Sequence, residues 1–431
     1  MITISGVSAR EVLDSRGNPT IEVDVALSDG AFGRASVPSG ASTGSKEAVE
    51  LRDGDPLRFG GQGVLQAVKK AEQEIAPVVT GRPAFDQANL DGLLIGLDGS
   101  SDKSRLGGNT ILGVSVAAAH AAARSKGIPL YAYLKGEDPF MLPVPMFNIL
   151  NGGKHAEAST DIQEFMVVPA GFDTFRRAVQ AGSEVYHALR RLLSERGLRT
   201  SVGDEGGFAL SSASNRQALE FVIEGIEAAG YTPGQQCFVA LDSAASEFVA
   251  TDGTYSLTKE QVALSRQGMI ELYERWASEY PIISIEDGLA EDDWTGWSAL
   301  TERLGERVQM VGDDLYATNP NLIRQGIERR ASNAVLIKLN QIGTITETIE
   351  SVIVAKRAGW GTVISHRSGD TEDTTVADLA VGTAAGQIKA GAPARGERTA
   401  KYNRLLRIEE ELGDKAVFAG RRIYDSFWAR R

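Results

Sequence analysis

IISIEDG, residues 282–288, is a short apolar run that ends in charged side chains. Stretches with helical patterns separate it from five further runs of the same form, at 238–244, 308–314, 334–340, 361–368 and 386–391. Strands that alternate with helices in this way predict parallel βα units. The polar residues that end the runs from Glu286 to Lys389 stand 23 to 28 residues apart, which suits one strand, one helix and short loops.

Two further candidate strands, at 162–168 and around residue 200, bring the total to the eight of a closed barrel. An open doubly wound sheet is the alternative that the periodicity leaves open. We favour the barrel because almost every run ends in a polar or charged residue, and the carboxyl ends of barrel strands converge on one mouth. The predicted fold class is therefore α/β, with a (β/α)8 barrel of the TIM type.

The chain before these runs predicts a smaller α+β domain. Residues 21–27 alternate apolar and polar side chains like a strand, and Ser28-Asp29-Gly30 supplies a turn before a second short run that ends at Val37. Helical patterns follow at about 63–77 and 108–126. A cluster of glycine and proline between residues 127 and 145 then marks the boundary. We expect an N-terminal domain at 1–135 and a barrel at 136–431.

The composition excludes several classes of protein. Of the residues 42% are apolar, but the longest apolar stretches, such as Val114 to Ala123, are much shorter than the roughly 18 residues of a membrane span. The N-terminus has no signal-peptide pattern, and the single cysteine, Cys237, cannot form an intrachain disulfide. Together these features predict a cytoplasmic protein. The net charge of −12 argues against nucleic acid and anionic membranes as partners.

Three consecutive runs end in carboxylates, at Asp242, Glu286 and Asp313. One such residue alone is usually a helix N-cap. Three at one mouth would repel each other unless a cation or protons intervened. Ligation by oxygen alone favours a hard ion, Mg²⁺ before Ca²⁺ or Mn²⁺. Zinc is disfavoured because the four histidines are widely spaced and form no known zinc motif.

The next three runs end in cations, at Lys338, His366-Arg367 and Lys389. Because barrel order follows chain order, the acidic and basic arcs should face each other across the mouth. An anionic substrate could then bind metal on one side and cations on the other. Arg367 with Ser368 suits a phosphate group, since guanidinium offers a planar fork and the hydroxyl adds a donor.

Earlier segments supply further candidates, namely Glu164, Glu205 and His155, although each also has a structural interpretation as a turn or hydrogen-bonded residue. Lys338, close to a second lysine and a metal, is a candidate general base. Glu205 could protonate a leaving group on the opposite face. Base and acid on opposite faces predict an anti elimination by a hydro-lyase on a phosphorylated hydroxy acid.

A serine hydrolase is the competing hypothesis. Residues 40–44, GASTG, match the GxSxG nucleophile motif, and Ser42 could be joined by Asp313 and His366. The motif follows a small hairpin, however, and not a strand of the main sheet. This hypothesis also gives no role to the carboxylates and lysines at the mouth.

A series of longer motifs lies along essentially the whole chain: AREVLDSRGNPT, VPSGASTG, KSRLGGNTILGVS, NGGKHA, DIQEFMVVP, GDEGGF, LDSAASEF, IEDGLAEDDW, VGDDLYATN, KLNQIGT, SHRSGDTEDT and GQIKAGAPARGERTAKYN. With these motifs the sequence resembles the enolase family. The resemblance implies an atypical barrel whose first units include antiparallel strands, so a fully parallel barrel should fail near 143–170. It also implies reversible dehydration of 2-phosphoglycerate to phosphoenolpyruvate in glycolysis and gluconeogenesis.

The resemblance also implies a role for each matching residue. Lys338 would take the C2 proton and Glu205, with Glu164 and His155 beside it, would assist loss of the C3 hydroxyl. Asp242, Glu286 and Asp313 would bind one Mg²⁺, and Ser39 a second. The residues placed around the substrate are Gln163, His155, Glu164, Glu286, Asp313, Lys338, His366, Arg367, Ser368 and Lys389.

The family further implies a homo-oligomer, either a dimer or an octamer, with a possible secondary secreted or cell-surface pool. Two alternatives remain open from sequence. One is another acid lyase or racemase of the same superfamily, which need not retain the Arg367-Ser368 pair. The other is a non-catalytic scaffold or surface-binding protein, which would not need Glu205, Lys338 and Lys389 together.

Overall fold

An antiparallel sheet of three strands begins the fold. The computed structural model describes residues 1–40, 44–156, 159–211 and 213–425. The three strands are β1 (Ile4–Leu13), β2 (Pro19–Leu27) and β3 (Phe32–Ser36). The alternating apolar residues of β2 are all buried, as strand periodicity predicts.

Five helices accompany this sheet: α1 (Leu65–Lys70), α2 (Ala76–Val79), α3 (Gln87–Asp98), α4 (Gly108–Ser125) and α5 (Leu130–Tyr133). A π-helical turn at 71–75 joins α1 to α2, so the helix predicted at 63–77 is present in a distorted form. Helix α4 packs on β2 and β3. Gly33 permits this close approach, because a Cβ there would lie 2.1 Å from the carbonyl oxygen of Ala117.

Eight strands close into a barrel: β4 (Val144–Asn151), β5 (Glu164–Val168), β7 (Phe238–Asp242), β10 (Ile282–Glu286), β11 (Gln309–Gly312), β12 (Ala334–Ile337), β13 (Gly361–Ser365) and β14 (Gly386–Lys389). The ring closes where β14 pairs with β4. A two-residue strand, β6 (Phe208–Ala209), pairs with β4 from outside the ring, and β8 (Tyr255–Leu257) forms a separate hairpin with β9 (Val262–Leu264).

Strand direction departs from a regular barrel in one place. Strand β5 runs antiparallel to both of its neighbours, β4 and β7, whereas the remaining pairs of the ring are parallel. The α/β barrel with a smaller α+β domain before it is therefore confirmed, as is the failure of parallel pairing near 143–170. Ring closure excludes the open doubly wound sheet.

Two expectations about the first barrel strands were wrong. The structure forms no barrel strand around residue 200, where the described residues make a loop with one isolated bridge at Val202. The missing strand is β4, which contains Pro145, a residue of the glycine- and proline-rich segment assigned to the domain boundary. Pro145 is only the second residue of β4, near the strand start, where the loss of one N–H donor is best tolerated.

Nine helices of the described residues surround the barrel: α6 (Phe175–Glu195), α7 (Asn215–Ala228), α8 (Arg266–Glu279), α9 (Trp294–Leu304), α10 (Pro320–Arg329), α11 (Leu339–Ile342), α12 (Ile345–Arg357), α13 (Thr375–Gly382) and α14 (Gly396–Leu412). Side-chain caps fix several starts. At α7, Ser214 and Gln217 form a reciprocal capping box. Within the part of the chain that is described, no helix has the length and apolar character needed to cross a membrane.

The N-terminal sheet contacts the barrel mouth through two short segments. Ser15, in the turn between β1 and β2, donates its backbone N–H to the carbonyl oxygen of Asp370 at 2.8 Å. Ser39 and Gly369 exchange two backbone hydrogen bonds of 2.7 and 2.9 Å. The loop after β13 is thus held from outside the barrel by the first 40 residues of the chain.

Candidate active site

Charged side chains collect at one end of the barrel because parallel strands all deliver their carboxyl ends there. Asp242, Glu286 and Lys389 are the last residues of β7, β10 and β14. Lys338 and His366 directly follow β12 and β13. Residues from the sequence prediction that line the resulting cleft are His155, Gln163, Glu164, Glu205, Asp242, Asp313, Lys338, His366, Arg367, Ser368 and Lys389.

Glu164 reaches the same mouth from the opposite end of its strand. It is the first residue of β5, and the antiparallel direction of β5 places it directly opposite Asp242 in the strand register. The side chain is 1% exposed. The reversed strand therefore adds a fourth buried carboxylate beside those of the parallel strands.

Lys389 lies at the centre of the carboxylates. Its Nζ is 2.9 Å from Asp242, 3.0 Å from Glu286 and 3.2 Å from Glu164. Burial opposes the charged amine, but the surrounding carboxylates outweigh it and hold the pKa of Lys389 well above its usual value. This ammonium neutralises part of the buried negative charge.

Lys338 is paired with the third predicted ligand. Its Nζ donates to Asp313 Oδ2 at 2.5 Å, and Gln341 donates to the other oxygen of Asp313 at 2.9 Å. Burial, the largest single influence, lowers the pKa of Lys338, but the nearby carboxylates, Asp313 foremost, together outweigh it, so the net shift is upward. Lys338 is therefore an ammonium in this arrangement, and any change that draws charge from Asp313 favours its neutral form.

Glu164 and Glu205 flank the ring of His155. Nδ1 of His155 is 3.6 Å from Glu164, and Nε2 is 3.7 Å from Glu205. Burial and the nearby Glu205 raise the pKa of Glu164 well above its usual range. Burial also opposes ionisation of Glu205, but His155 and His366 outweigh it and hold its pKa well below the usual range. The opposite shifts therefore favour a proton on Glu164 over a proton on Glu205.

The residues present fit a divalent cation. In the described residues, two sets of three side chains bring ligand atoms within 4.8 Å of one another: His155, Glu164 and Glu205, and Asp287, Asp313 and Asp314. Oε2 of Glu164 is buried without a hydrogen-bond partner. Of the predicted triad, only Asp313 falls in such a set, because Lys389 binds Asp242 and Glu286 together.

Asp287 and Asp314 were missed from the sequence, although each is the second of two adjacent acids at a strand end, in IEDG and VGDD. The carboxylate of Asp287 accepts the backbone N–H groups of Asp313 and Asp314, at 2.9 and 3.0 Å. Burial, followed by repulsion from Asp313, raises the pKa of Asp314 to about 7. These two acids extend the cluster of carboxyl groups beside Asp313, and the pKa of Asp287 is raised as well, chiefly by burial.

Arg367 is engaged by a residue from the N-terminal segment. Its Nη1 is 2.8 Å from Oε2 of Glu47 and 2.9 Å from Asn340. The side chains of Arg367 and Glu47 are only 3% and 8% exposed. Glu47 was not predicted as a site residue, because a lone acid in a loop before α1 carries no signal of this contact. A phosphate at Arg367 would compete with Glu47.

Ser39 is not among the cleft residues. Its hydroxyl donates to Asp14 at 2.8 Å and accepts from Arg16 at 3.1 Å, and the residue is fully buried. A metal role for Ser39 stays a prediction, and it requires the hydroxyl to leave both partners. Ser42, the nucleophile of the hydrolase hypothesis, lies outside the described residues.

Comparison with protein families agrees with this architecture. Residues 4–134 match the family described as "Enolase, N-terminal domain", and residues 139–426 match "Enolase, C-terminal TIM barrel domain". The chain belongs to the enolase family. Membership supports a lyase-type enzyme that acts on a small molecule, and the buried acidic clusters are compatible with divalent metal binding.

Proposed function

We propose that this enolase-family protein is a phosphopyruvate hydratase, a Mg²⁺-dependent hydro-lyase that reversibly converts 2-phosphoglycerate to phosphoenolpyruvate. One observation carries the proposal. The cleft combines a partly buried lysine directly after a strand, a pair of carboxylates with opposite pKa shifts, and a buried Arg367-Ser368 pair. The substrate needs a base, an acid and a phosphate-binding group, and the cleft offers one of each.

Lys338 is the proposed base. Its neutral amine would take the proton from C2, and the electrons of the C–H bond would move into the substrate carboxylate to give an enediolate. Their return would form the C2–C3 double bond as the C3–O bond breaks. Asp313 now holds the proton on Lys338. The base therefore needs a bound cation near Asp313, or the charge of Lys389, to favour the neutral amine.

The carboxylate pair is the proposed acid. The hydroxide that leaves C3 must receive a proton to become water, and Glu205 is the residue carried over from the family for this step. The pKa shifts favour the proton on Glu164, and His155 lies between the two carboxyl groups. We propose that Glu164, His155 and Glu205 act as one proton-holding unit.

Substrate charge is balanced by cations. Lys389 would contact the carboxylate of the substrate, and Arg367 with Ser368 its phosphate. Gln163 and His366 would complete the pocket. Two Mg²⁺ per site are proposed, one held by Asp242, Glu286 and Asp313 and the other through Ser39. Bound Mg²⁺ would stabilise the negative charge that develops on the substrate carboxylate.

The remaining parts of the proposal concern the whole protein. We propose a domain division at 135/136, a homo-oligomer, a cytoplasmic location with a possible secondary secreted or surface pool, and a place in glycolysis and gluconeogenesis.

The second candidate function is that of a related acid lyase or racemase. Such an enzyme would use the same base and the same metal ligands, but its substrate would carry no phosphate. The buried Arg367 argues for the phosphorylated substrate. A scaffold would not need these buried charges.

The test is the ultraviolet absorbance of phosphoenolpyruvate formed from 2-phosphoglycerate, measured with Mg²⁺ and then with excess chelator. We expect turnover only with the metal. A matched assay offers non-phosphorylated 2-hydroxy acids, followed by NMR. Turnover of these acids alone would replace the hydratase by another superfamily lyase or racemase, and no turnover of any acid by folded protein would favour a scaffold.

A further inference from the structure

Arg398 lies behind the cleft and reaches two of its loops at once. The side chain is on the first turn of α14 and is fully buried. Nη2 donates to the carbonyl oxygens of Ser368, at 2.6 Å, and of Asp204, at 3.1 Å. Asp204 precedes Glu205, so one guanidinium nitrogen joins the loop that carries the candidate acid to the loop after β13.

The second nitrogen of Arg398 determines the state of a histidine. Nη1 lies 2.6 Å from Nδ1 of His366 and 2.6 Å from the carbonyl oxygen of Arg367. A guanidinium has only donors. Nδ1 of His366 must therefore be the acceptor, and the proton of the neutral ring is on Nε2. Nε2 is 3.3 Å from Oε2 of Glu205.

We propose that Arg398 is a positioning residue that fixes His366 in the Nε2-protonated tautomer, places the Nε2 edge of the ring beside Glu205, and holds the loop of Glu205 against the loop of His366. The catalytic significance of this arrangement rests on the proposed function. The tautomer itself does not, because it follows from the donors that surround the ring.

A glycine provides the space for this arrangement. A Cβ at Gly391 would lie 2.7 Å from Cδ of Arg398, 2.9 Å from the carbonyl oxygen of Glu205 and 3.1 Å from Cε1 of His366. Gly391 also has φ +83°, where other residues are strained. The chain thus places a residue without a side chain where the three groups meet.

The charges around His366 favour a neutral ring. Burial lowers the pKa of His366 to about 4, and the positive charge of Arg398 acts in the same direction. Glu205 and Asp370 oppose this shift. Asp370 also lies 3.8 Å from Arg398 and balances its buried charge. A neutral imidazole carries one N–H proton, and the hydrogen bond from Arg398 to Nδ1 determines that this proton is on Nε2.

The first experiment observes the tautomer directly. Protein labelled with ¹⁵N-histidine is studied by long-range ¹H–¹⁵N correlation near neutral pH, and the His366 signals are assigned by their loss in His366→Gln. We expect the shift pattern of an Nε2–H tautomer. An Nδ1–H tautomer or a doubly protonated ring in the wild-type protein overturns the proposal, whatever the variants do.

The second experiment uses Arg398→Lys, which keeps the charge but cannot reach all four acceptors, with Arg404→Lys as its control. Arg404 is on the same helix and contacts Asp378 through two nitrogens, at 2.9 and 2.7 Å. We expect Arg398→Lys to mix the His366 tautomers and to lower kcat by ~10-fold or more. Arg404→Lys should change neither.

The outcomes separate the two proposals. If folded Arg398→Lys mixes the tautomers yet retains the kcat of Arg404→Lys, Arg398 has no positioning role in catalysis. If Arg398→Lys keeps a pure Nε2–H tautomer, Arg398 does not fix the ring. If wild-type protein shows the expected tautomer but does not convert 2-phosphoglycerate, the hydratase assignment fails while the tautomer assignment is supported.

Discussion

Glu164 and Asp242 lie directly opposite each other on the antiparallel strands β5 and β7. One is the first residue of its strand and the other is the last. A parallel β5 would have carried Glu164 to the far end of the barrel. The single reversed strand is therefore what brings a further carboxylate to Lys389, which contacts both residues.

Lys389 should be important for stability as well as for binding. We expect Lys389→Met to lower the free energy of unfolding by about 3–5 kcal/mol, because it leaves several buried carboxylates without their cation. The measurement is urea denaturation at pH 7. The control is Lys154→Met, since Lys154 pairs with Glu247 at a half-exposed position and should contribute about 1 kcal/mol or less.

The same variant tests metal binding to the acids. Added Mg²⁺ should restore more stability to Lys389→Met than it adds to wild type, because the divalent ion replaces the lost ammonium. An equal effect of Mg²⁺ on both proteins would show that the carboxylates around Lys389 do not bind the ion.

His366 should make stability depend on pH. Its pKa is about 4 in the folded protein against an ordinary value of 6.5. Between these values the unfolded chain binds the proton and the folded one does not, so stability falls as pH falls from 6.5 to 4. The difference of about 2.5 pKa units corresponds to a contribution on the order of 3 kcal/mol.

The measurement compares the free energy of unfolding at pH 7 and pH 4.5 for wild type and His366→Gln. We expect the variant to lose less stability between the two pH values. The exposed His187 provides the control, as His187→Gln. An identical pH dependence of wild type and His366→Gln would contradict a buried neutral ring.

Glu47 should compete with the substrate for Arg367. We expect Glu47→Gln to tighten the binding of inorganic phosphate several-fold, because the anion no longer displaces a carboxylate from the guanidinium, which is 2.8 Å away. Isothermal titration calorimetry provides the measurement. Glu74→Gln is the control, since Glu74 pairs with a different arginine, Arg105, at 2.6 Å. Weaker phosphate binding in Glu47→Gln would show that Glu47 assists the ligand.

Much of the barrel could be predicted from the chain because periodic apolar runs with polar ends are local signals. The strands that carry Asp242, Glu286, Lys338 and Lys389 all follow this form. Strand β4 does not have this form. It contains Pro145, and because it is buried on both faces its sequence shows no alternation of apolar and polar side chains. Strand direction has no local signal either, and the reversal of β5 was expected only from the family resemblance.

Candidate site residues could be predicted from the sequence where they lie at or just after the end of a parallel strand. Residues that contact the site from segments distant in the sequence could not be predicted. Glu47 reaches Arg367 from a segment some 320 positions away, and Arg398 reaches Asp204 across 194. Ser39 is the opposite case. The family motif predicts a metal ligand at this residue, whereas in the structure its hydroxyl is hydrogen-bonded to Asp14 and Arg16.

The central claim is that Lys338 removes the C2 proton and that the Glu164–Glu205 pair acts on the leaving group. Exchange of this proton in D₂O, followed by NMR of 2-phosphoglycerate, separates the two steps. We expect Glu205→Gln to exchange the C2 proton while forming little phosphoenolpyruvate, and Lys338→Ala to do neither. Exchange by folded Lys338→Ala at the rate of Glu205→Gln would contradict the account, because another group would then be the base.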